Sequence, residues 1–188
     1  VILSDRSLIE ALDCGRIEVD PIGEGCLQPS SVDVRIDRYF RTYRKEPWSH
    51  PIIDPKQPQE PEMDYWELDD IPFRLEPQQF ALASTVEHVR VADDLVGRVE
   101  GKSSIGRMGL LVHATAGFID AGFSGFLTLE LSNLTDRPWF VYPGMTIAQI
   151  SFQMLSTSAE HPYGSSETGS KYQEQRGPTP SLYHKNFP

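Results

Sequence analysis

Cysteine is nearly absent from this 188-residue chain: there are two, Cys14 and Cys26, and no Cys-x-x-Cys pair. Two thiols so placed make no disulfide framework and lack zinc-ligand spacing, so they read as ordinary thiols of a cytoplasmic protein. Basic residues are scarce too. Seventeen Lys and Arg stand against 27 Asp and Glu, a net charge of −10, which argues against wrapping a nucleic-acid backbone. Any phosphate must be held by a few cations gathered locally. No apolar run approaches the roughly 20 residues of a membrane span. The stretch Val1 to Asp5 has neither a basic flank nor a long apolar segment, so no signal peptide is expected. Turn formers are plentiful, with 14 Gly and 15 Pro, and favour short strands over long helices. The length suits one domain with its own core.

Ser4 ahead of Leu8, Ile9 and Leu12, with Gly15 beyond, predicts one short helix. Gln28-Pro29-Ser30-Ser31 predicts a turn. Val32, Val34 and Ile36 alternate with Asp33, Arg35 and Asp37, as in a strand with one buried face. Residues 45–64 hold Pro47, Pro51, Pro55, Pro58 and Pro61 and predict a long surface excursion without regular elements. Phe80 to Val86 and Leu95 to Val99 read as strands, and Ser103 to Leu111 as one or two helical turns. From Phe126 to Leu131, Leu127, Leu129 and Leu131 share one face and Phe126, Thr128 and Glu130 the other. Trp139 to Tyr142, the turn Pro143-Gly144 and Thr146 to Phe152 read as a hairpin. The expected fold is mainly β, a distorted barrel or jelly roll with a few short helices. From Ser156 onward large aliphatics nearly vanish. Composition alone favours a disordered tail there, the other reading being a lid that orders over a ligand.

Three segments could carry chemistry. In Glu100-Gly101-Lys102-Ser103-Ser104-Ile105-Gly106-Arg107, small residues let backbone amides approach an anion, and Lys102 and Arg107 supply charge. The order is not that of a Walker loop, and a turn into a surface helix is an equal reading. Between His113 and Gly125, glycines flank aromatics and Asp120, which suits a hairpin that reads a planar base. Asp120 as a turn carboxylate and His113 as a structural histidine are the plainer readings. Glu130 lies in mid-strand between leucines of the opposite face, either desolvated or on the wet face of an edge strand. In the tail, Tyr163, Lys171, Tyr172, Gln175 and Arg176 interleave rings, cations and amides, which suits stacking and phosphate contact.

Together these blocks resemble the dCTP deaminase branch of the dUTPase-like superfamily. The likeness runs through Leu3-Ser4-Asp5, Gln28 to Arg35, Lys102-Ser103-Ser104 to Arg107, Thr115 to Gly125, Leu129-Glu130, Pro143-Gly144-Met145, Lys171-Tyr172 and Gln175. It implies a dUTPase-like β domain over 1–155, with the excursion at 45–64, and a lid over 156–188. It implies a homotrimer with sites shared between subunits, and a magnesium-bound deoxynucleoside triphosphate as substrate. Glu130 matches the catalytic carboxylate, and Ser103 and Arg107 the active-site Ser and Arg. Lys102, Ser104, Ile105, Gly106, Asp120, Thr128, Leu129, Gln149, Tyr163, Lys171 and Gln175 fall where such relatives contact the nucleotide. Binding of dUTP, and of dTTP as inhibitor, belongs to the same expectation.

The chemistry is coherent. Deamination needs an attacking water and a proton shuttle to the leaving ammonia, and one carboxylate held near neutrality serves both. The His-x-Glu…Pro-Cys-x-x-Cys signature of zinc deaminases is missing from the sequence. Gly117-Phe118 resembles the members that also cleave the α–β phosphoanhydride and release dUMP. Asp120 would there activate a second water, with Mg²⁺ serving the phosphates. The alternatives are a deaminase that stops at dUTP and a silent regulator that binds dCTP or dTTP. The glycine-rich C-terminal motif of dedicated dUTPases is missing, with Gly164-Ser165-Ser166 and Lys171 to Gly177 in its place.

Overall fold

The structure, a computed structural model, describes residues 1–45 and 52–187. Helix α1 (Asp5–Asp13) follows Ser4, whose hydroxyl makes no capping bond. It ends in a Schellman turn: Gly15, at φ +70°, donates its N–H to Leu12 O, and Arg16 N–H reaches Ala11 O. Leu8 and Ala11 face the core.

Strands β1 (Ile17–Asp20), β2 (Leu27–Gln28) and β3 (Ser31–Tyr43) follow, the last two joined by the turn expected at Pro29-Ser30. β4 (Met63–Glu67), β5 (Phe73–Leu75), β6 (Phe80–Val91) and β7 (Leu95–Gly101) lead to the one-turn helix α2 (Ser103–Gly106). Then come β8 (Leu110–Leu111), β9 (Phe118–Ile119), β10 (Ser124–Asn133), β11 (Trp139–Val141) and β12 (Thr146–Met154). Ten of these strands form one antiparallel sheet in the order β8-β10-β6-β3-β12-β7-β9, with β1 on β6 and β2 and β4 on β3. The sheet curls because β3 serves two neighbourhoods. Its first half pairs with β12, its second with β4 and β6, and the register slips between Ile36 and Phe40. The mainly β expectation holds.

Inside the curl, Phe40 stacks on Phe73 at 4.3 Å, and Leu129, Leu131, Leu75 and Val141 are fully buried beside them. Each such aliphatic contributes about 1.5–3 kcal/mol by leaving water.

Several expectations need correction. β11 pairs with β5, not with β12, so Pro143-Gly144 carries the chain from one sheet to the other instead of closing a hairpin. The excursion ends in regular structure: a 3-10 turn at Glu60–Glu62 and then β4, which starts at Met63 and pairs with β3. Pro61 is tolerated at the start of that turn, where its missing N–H is not needed. Pro47 and Pro51 lie outside the described residues. Asp33 is buried although its neighbours alternate as predicted, because both faces of β3 are covered there. The tail is ordered along its described length. It builds no core and instead adds itself to the sheet: Glu174 N–H donates to Ser124 O (2.8 Å), Phe126 N–H to Gln175 O (3.1 Å), and Thr179 N–H to Thr128 Oγ1 (3.1 Å). This fills the edge of β10 that β8 leaves open, since β8 pairs only with Ser132 and Asn133.

Candidate functional site

Directly opposed residues on antiparallel strands point to the same side of a sheet. Glu130 opposes Leu82, Leu82 opposes Arg41, and Tyr43 opposes Met63. Met63, Tyr43, Leu82, Phe80, Thr128 and Glu130 therefore floor one continuous face, and a cavity of about 560 Å³ lies over it. Its walls come from the 113–123 segment, with His113, Phe118, Asp120 and Phe123. Its roof is the tail, through Tyr163, Lys171, Tyr172 and Gln175.

Glu130 is half-buried in mid-sheet, not on an edge strand, and its Oε2 accepts the Ala114 N–H at 3.3 Å. Asp120 stands exposed at the wall. Gln175 is held by its Nε2, which donates to Phe126 O at 2.8 Å, while its Oε1 is buried with no protein partner. Thr128 spends its hydroxyl oxygen on the Thr179 amide. Burial raises the phenol pKa of Tyr43.

The roof is fixed by close approach at glycines. Gly122, at φ +89°, lies under Pro162 and Tyr163, and a Cβ there would stand 2.6 Å from Pro162 Cβ. Gly125, at φ +149°, lies under the Gln175 backbone, whose N would be 3.1 Å from such a Cβ. Tyr163 N–H donates to Ala121 O (2.7 Å), and Tyr163 OH accepts from Tyr172 N–H (3.0 Å).

The remaining predicted residues gather elsewhere. Lys102 Nζ bonds both carboxylate oxygens of the nearly buried Asp33, at 2.7 and 2.6 Å. Beside it, Ser31 Oγ donates to Gln149 Oε1 at 3.2 Å, and Gln149 Nε2 reaches Gly101 O at 3.5 Å. Ser103, Ser104 and Gly106 lie on α2, and Arg107 follows at its end. None of these lines the cavity. Leu129 and Ile105 point into the core, which leaves only their backbones for a ligand. Within one chain, then, Asp120, Thr128, Glu130, Tyr163, Lys171 and Gln175 meet, whereas Lys102 to Arg107 and Gln149 stand apart.

Two residues take other places than the sequence reading gave them, His113 in the cavity wall and Asp33 outside the cavity beside Lys102. His113, read as structural, is in the wall, and both its ring nitrogens are buried without a protein partner. Asp33 escaped because it looked like the wet half of an alternating strand. Among the described residues no three His, Cys, Asp or Glu side chains gather to hold a metal ion. The cavity offers a magnesium ion two carboxylates, Glu130 on β10 and Asp120 just after β9. That donor set fits a cation carried in on phosphate oxygens.

A curled β-sheet, with a carboxylate on the face opposite its core and a polar strap across it, defines a β-rich enzyme with a polar cavity. The family model described as dCTP deaminase-like matches residues 2–155, and the chain belongs to that family. A dCTP deaminase, dUMP-forming, of Nocardioides sp. is 52% identical over 194 residues, covering 100% of this chain and 97% of its own. The protein of that name from Parafrankia sp. is 53% identical over 191 residues, covering 100% and 92%. Among solved structures, 2'-deoxycytidine 5'-triphosphate deaminase from Agrobacterium tumefaciens shares the fold, with a TM-score of 0.65 at 23% identity. That match covers 82% of this chain and 48% of that one, so the chain spans about half its length.

Proposed function

We propose that this protein converts dCTP to dUMP, ammonia and diphosphate. The observation that carries the reading is identity near 50% over the whole chain with proteins named dCTP deaminase, dUMP-forming. The cavity that joins Glu130, Asp120 and the tail supports it.

In the first step Glu130 takes a proton from water as the oxygen attacks the amine-bearing carbon of cytosine. It then returns the proton to the departing ammonia, leaving uracil. The Ala114 amide, already on Glu130, fixes the carboxylate's orientation. In the second step Asp120 activates a water for attack on the α-phosphorus, and the α–β bond breaks to give dUMP and diphosphate. Thr128, Tyr163, Lys171 and Gln175 bind the nucleotide. Magnesium carried in with the triphosphate would supply neutralisation of phosphate charge, and Asp120 is the wall residue that would hold it.

One chain does not complete this site. Lys102, Ser103, Ser104, Arg107 and Gln149 lie outside the cavity, so we assign them to the cavity of a neighbouring copy. There Arg107 and Ser103 stabilise developing charge and place the water. The working form is a homotrimer, and its compartment is the cytoplasm. Among the described residues no helix is long and apolar enough to cross a membrane.

The test is a product analysis of pure protein with dCTP and Mg²⁺, resolved over time by anion exchange. Direct appearance of dUMP with equimolar ammonia and diphosphate is expected. Accumulating dUTP would reduce the reading to a deaminase alone, and no conversion would leave a nucleotide binder. Glu130→Gln should abolish ammonia release, and normal deamination by that variant would sink the assignment of Glu130.

A further inference from the structure

The tail changes partners beyond Gly177. Up to that point its backbone bonds to β10 through Glu174 and Gln175. Pro178 and Pro180 then bring no N–H to a ladder, and Thr179 spends its own on the Thr128 side chain. The stretch is well seated all the same. Both prolines are buried, and Leu182 N–H donates to Tyr172 OH at 3.0 Å. The side chain that meets this stretch from β3 is Arg41, whose Nε donates to Pro178 O at 3.0 Å.

Arg41 opposes Leu82 on one flanking strand and Tyr65 on the other. Its Nη2 donates to Glu60 Oε1 at 3.2 Å, and its guanidinium carbon lies 5.0 Å from the centre of the Tyr65 ring. Its side chain is only 17% exposed. The planar fork serves two acceptors in different directions while its face rests on a ring, which a lysine ammonium does not do. Glu60 belongs to the proline-rich excursion, and that part of the excursion is braced. The buried Gln59 donates through Nε2 to Asp54 O (2.9 Å) and Gln57 O (2.8 Å). Its Oε1 accepts from the hydroxyl of Tyr43 on the cavity floor at 3.4 Å. Lys56 Nζ, on the same excursion, lies 5.3 Å from the centre of the Phe187 ring of the tail. Thr179 and Ser181 line the main cavity and also a second one of about 390 Å³ between excursion and tail. A shift of this stretch is therefore felt in the main cavity.

We infer that Arg41 is a positioning residue for the roof: with Glu60 and Lys56 it makes the excursion the seat on which residues 178–187 rest. Through Leu182 and Tyr172 that seat keeps the nucleotide-facing part of the tail over the floor. The inference rests on the proposed conversion of dCTP only for its kinetic arm.

The test uses the full-length protein and three variants. Arg41→Ala removes the ties from β3. The double variant Lys56→Ala/Glu60→Ala removes only exposed side chains of the excursion, and it carries the test alone if Arg41→Ala does not fold. Arg38→Ala is the control, an arginine of the same strand that pairs with Glu67 and Asp69 and packs on Tyr39. Hydrogen exchange of the Thr179 and Leu182 amides should quicken about tenfold in Arg41→Ala and about threefold in the double variant, because bonds to charged groups are lost. Amides of β6 and β10 should keep their protection, and Arg38→Ala should match the unmodified protein. KM for dCTP should rise about tenfold in Arg41→Ala while kcat stays within about twofold, since a smaller share of molecules has the roof in place. Unchanged exchange at Thr179 and Leu182 in a folded variant overturns the inference. So does acceleration that β6 or Arg38→Ala shares, and so does a fall in kcat with KM unaltered. If the unmodified protein does not convert dCTP, the proposed function fails, and the exchange measurement still decides the role of Arg41.

Discussion

Glu87 has no exposure, yet it carries a charge-bearing carboxyl inside the sheet. It survives there because Arg35 meets it twice, through the backbone N–H at 2.8 Å and Nε at 2.7 Å. The same contact raises the Arg35 pKa, chiefly through the hydrogen bond that its side chain donates to Glu87. Glu87→Ala would leave the Arg35 amide and guanidinium without this partner and should cost about 3–5 kcal/mol, read from a urea melt. Tyr43 offers a second check at this scale. Burial raises its pKa, so the folded state holds the phenolic proton more tightly than the unfolded one. That stability is fully present below the ordinary tyrosine value and falls as pH rises through the higher folded value. In an alkaline absorbance titration, Tyr43→Phe should remove a late-ionising component. Neither environment is signalled by local pattern. Tyr43 lies beside a proline-rich stretch that reads as loop, and Glu87 sits where a strand was expected to have ended, at Val86.

The elements that make the site differ in how far local pattern defines them. In β10 the strict alternation of leucines with Thr128 and Glu130 dictates which side faces the core, and the structure follows it residue by residue. The register of β10 against β6 then places Glu130 over Leu82. The tail is the opposite case. Its composition cannot bury a core, and it is ordered only because β10 has an open edge and because glycines leave room for it. Gly125→Ala should break that fit, because the position has φ +149° and the Gln175 backbone stands over it. If docking loses about 1.4 kcal/mol, protease cleavage within 156–188 should quicken about tenfold while the β domain stays resistant.

At the scale of the whole molecule, the division of predicted site residues into two groups has a direct consequence. If neighbouring copies complete one another's cavities, Arg107→Ala and Glu130→Gln chains should each be inactive alone. Refolded together they should regain a measurable share of ammonia release, because some mixed sites draw both intact residues from different chains. Light scattering should give a trimer in each case. Failure of the mixture to recover activity, with mixed trimers demonstrated by differential tagging, would count against shared sites.

Local pattern suffices for the mainly β class, the short α1, the two-faced β10 and the identity of the chemical groups, because alternation, turn formers and residue type are local properties. The family likeness is likewise legible in motifs spread over the chain. That β11 leaves the expected hairpin for β5, that Asp33 is buried against Lys102, and that a tail of poor core-forming composition becomes a roof all come from the folded arrangement. Those outcomes depend on which edges remain unpaired and where backbones approach closely. Both are set by contacts between residues far apart in the chain, as when Gln175 meets Phe126 and Lys102 meets Asp33, and no window of sequence contains them.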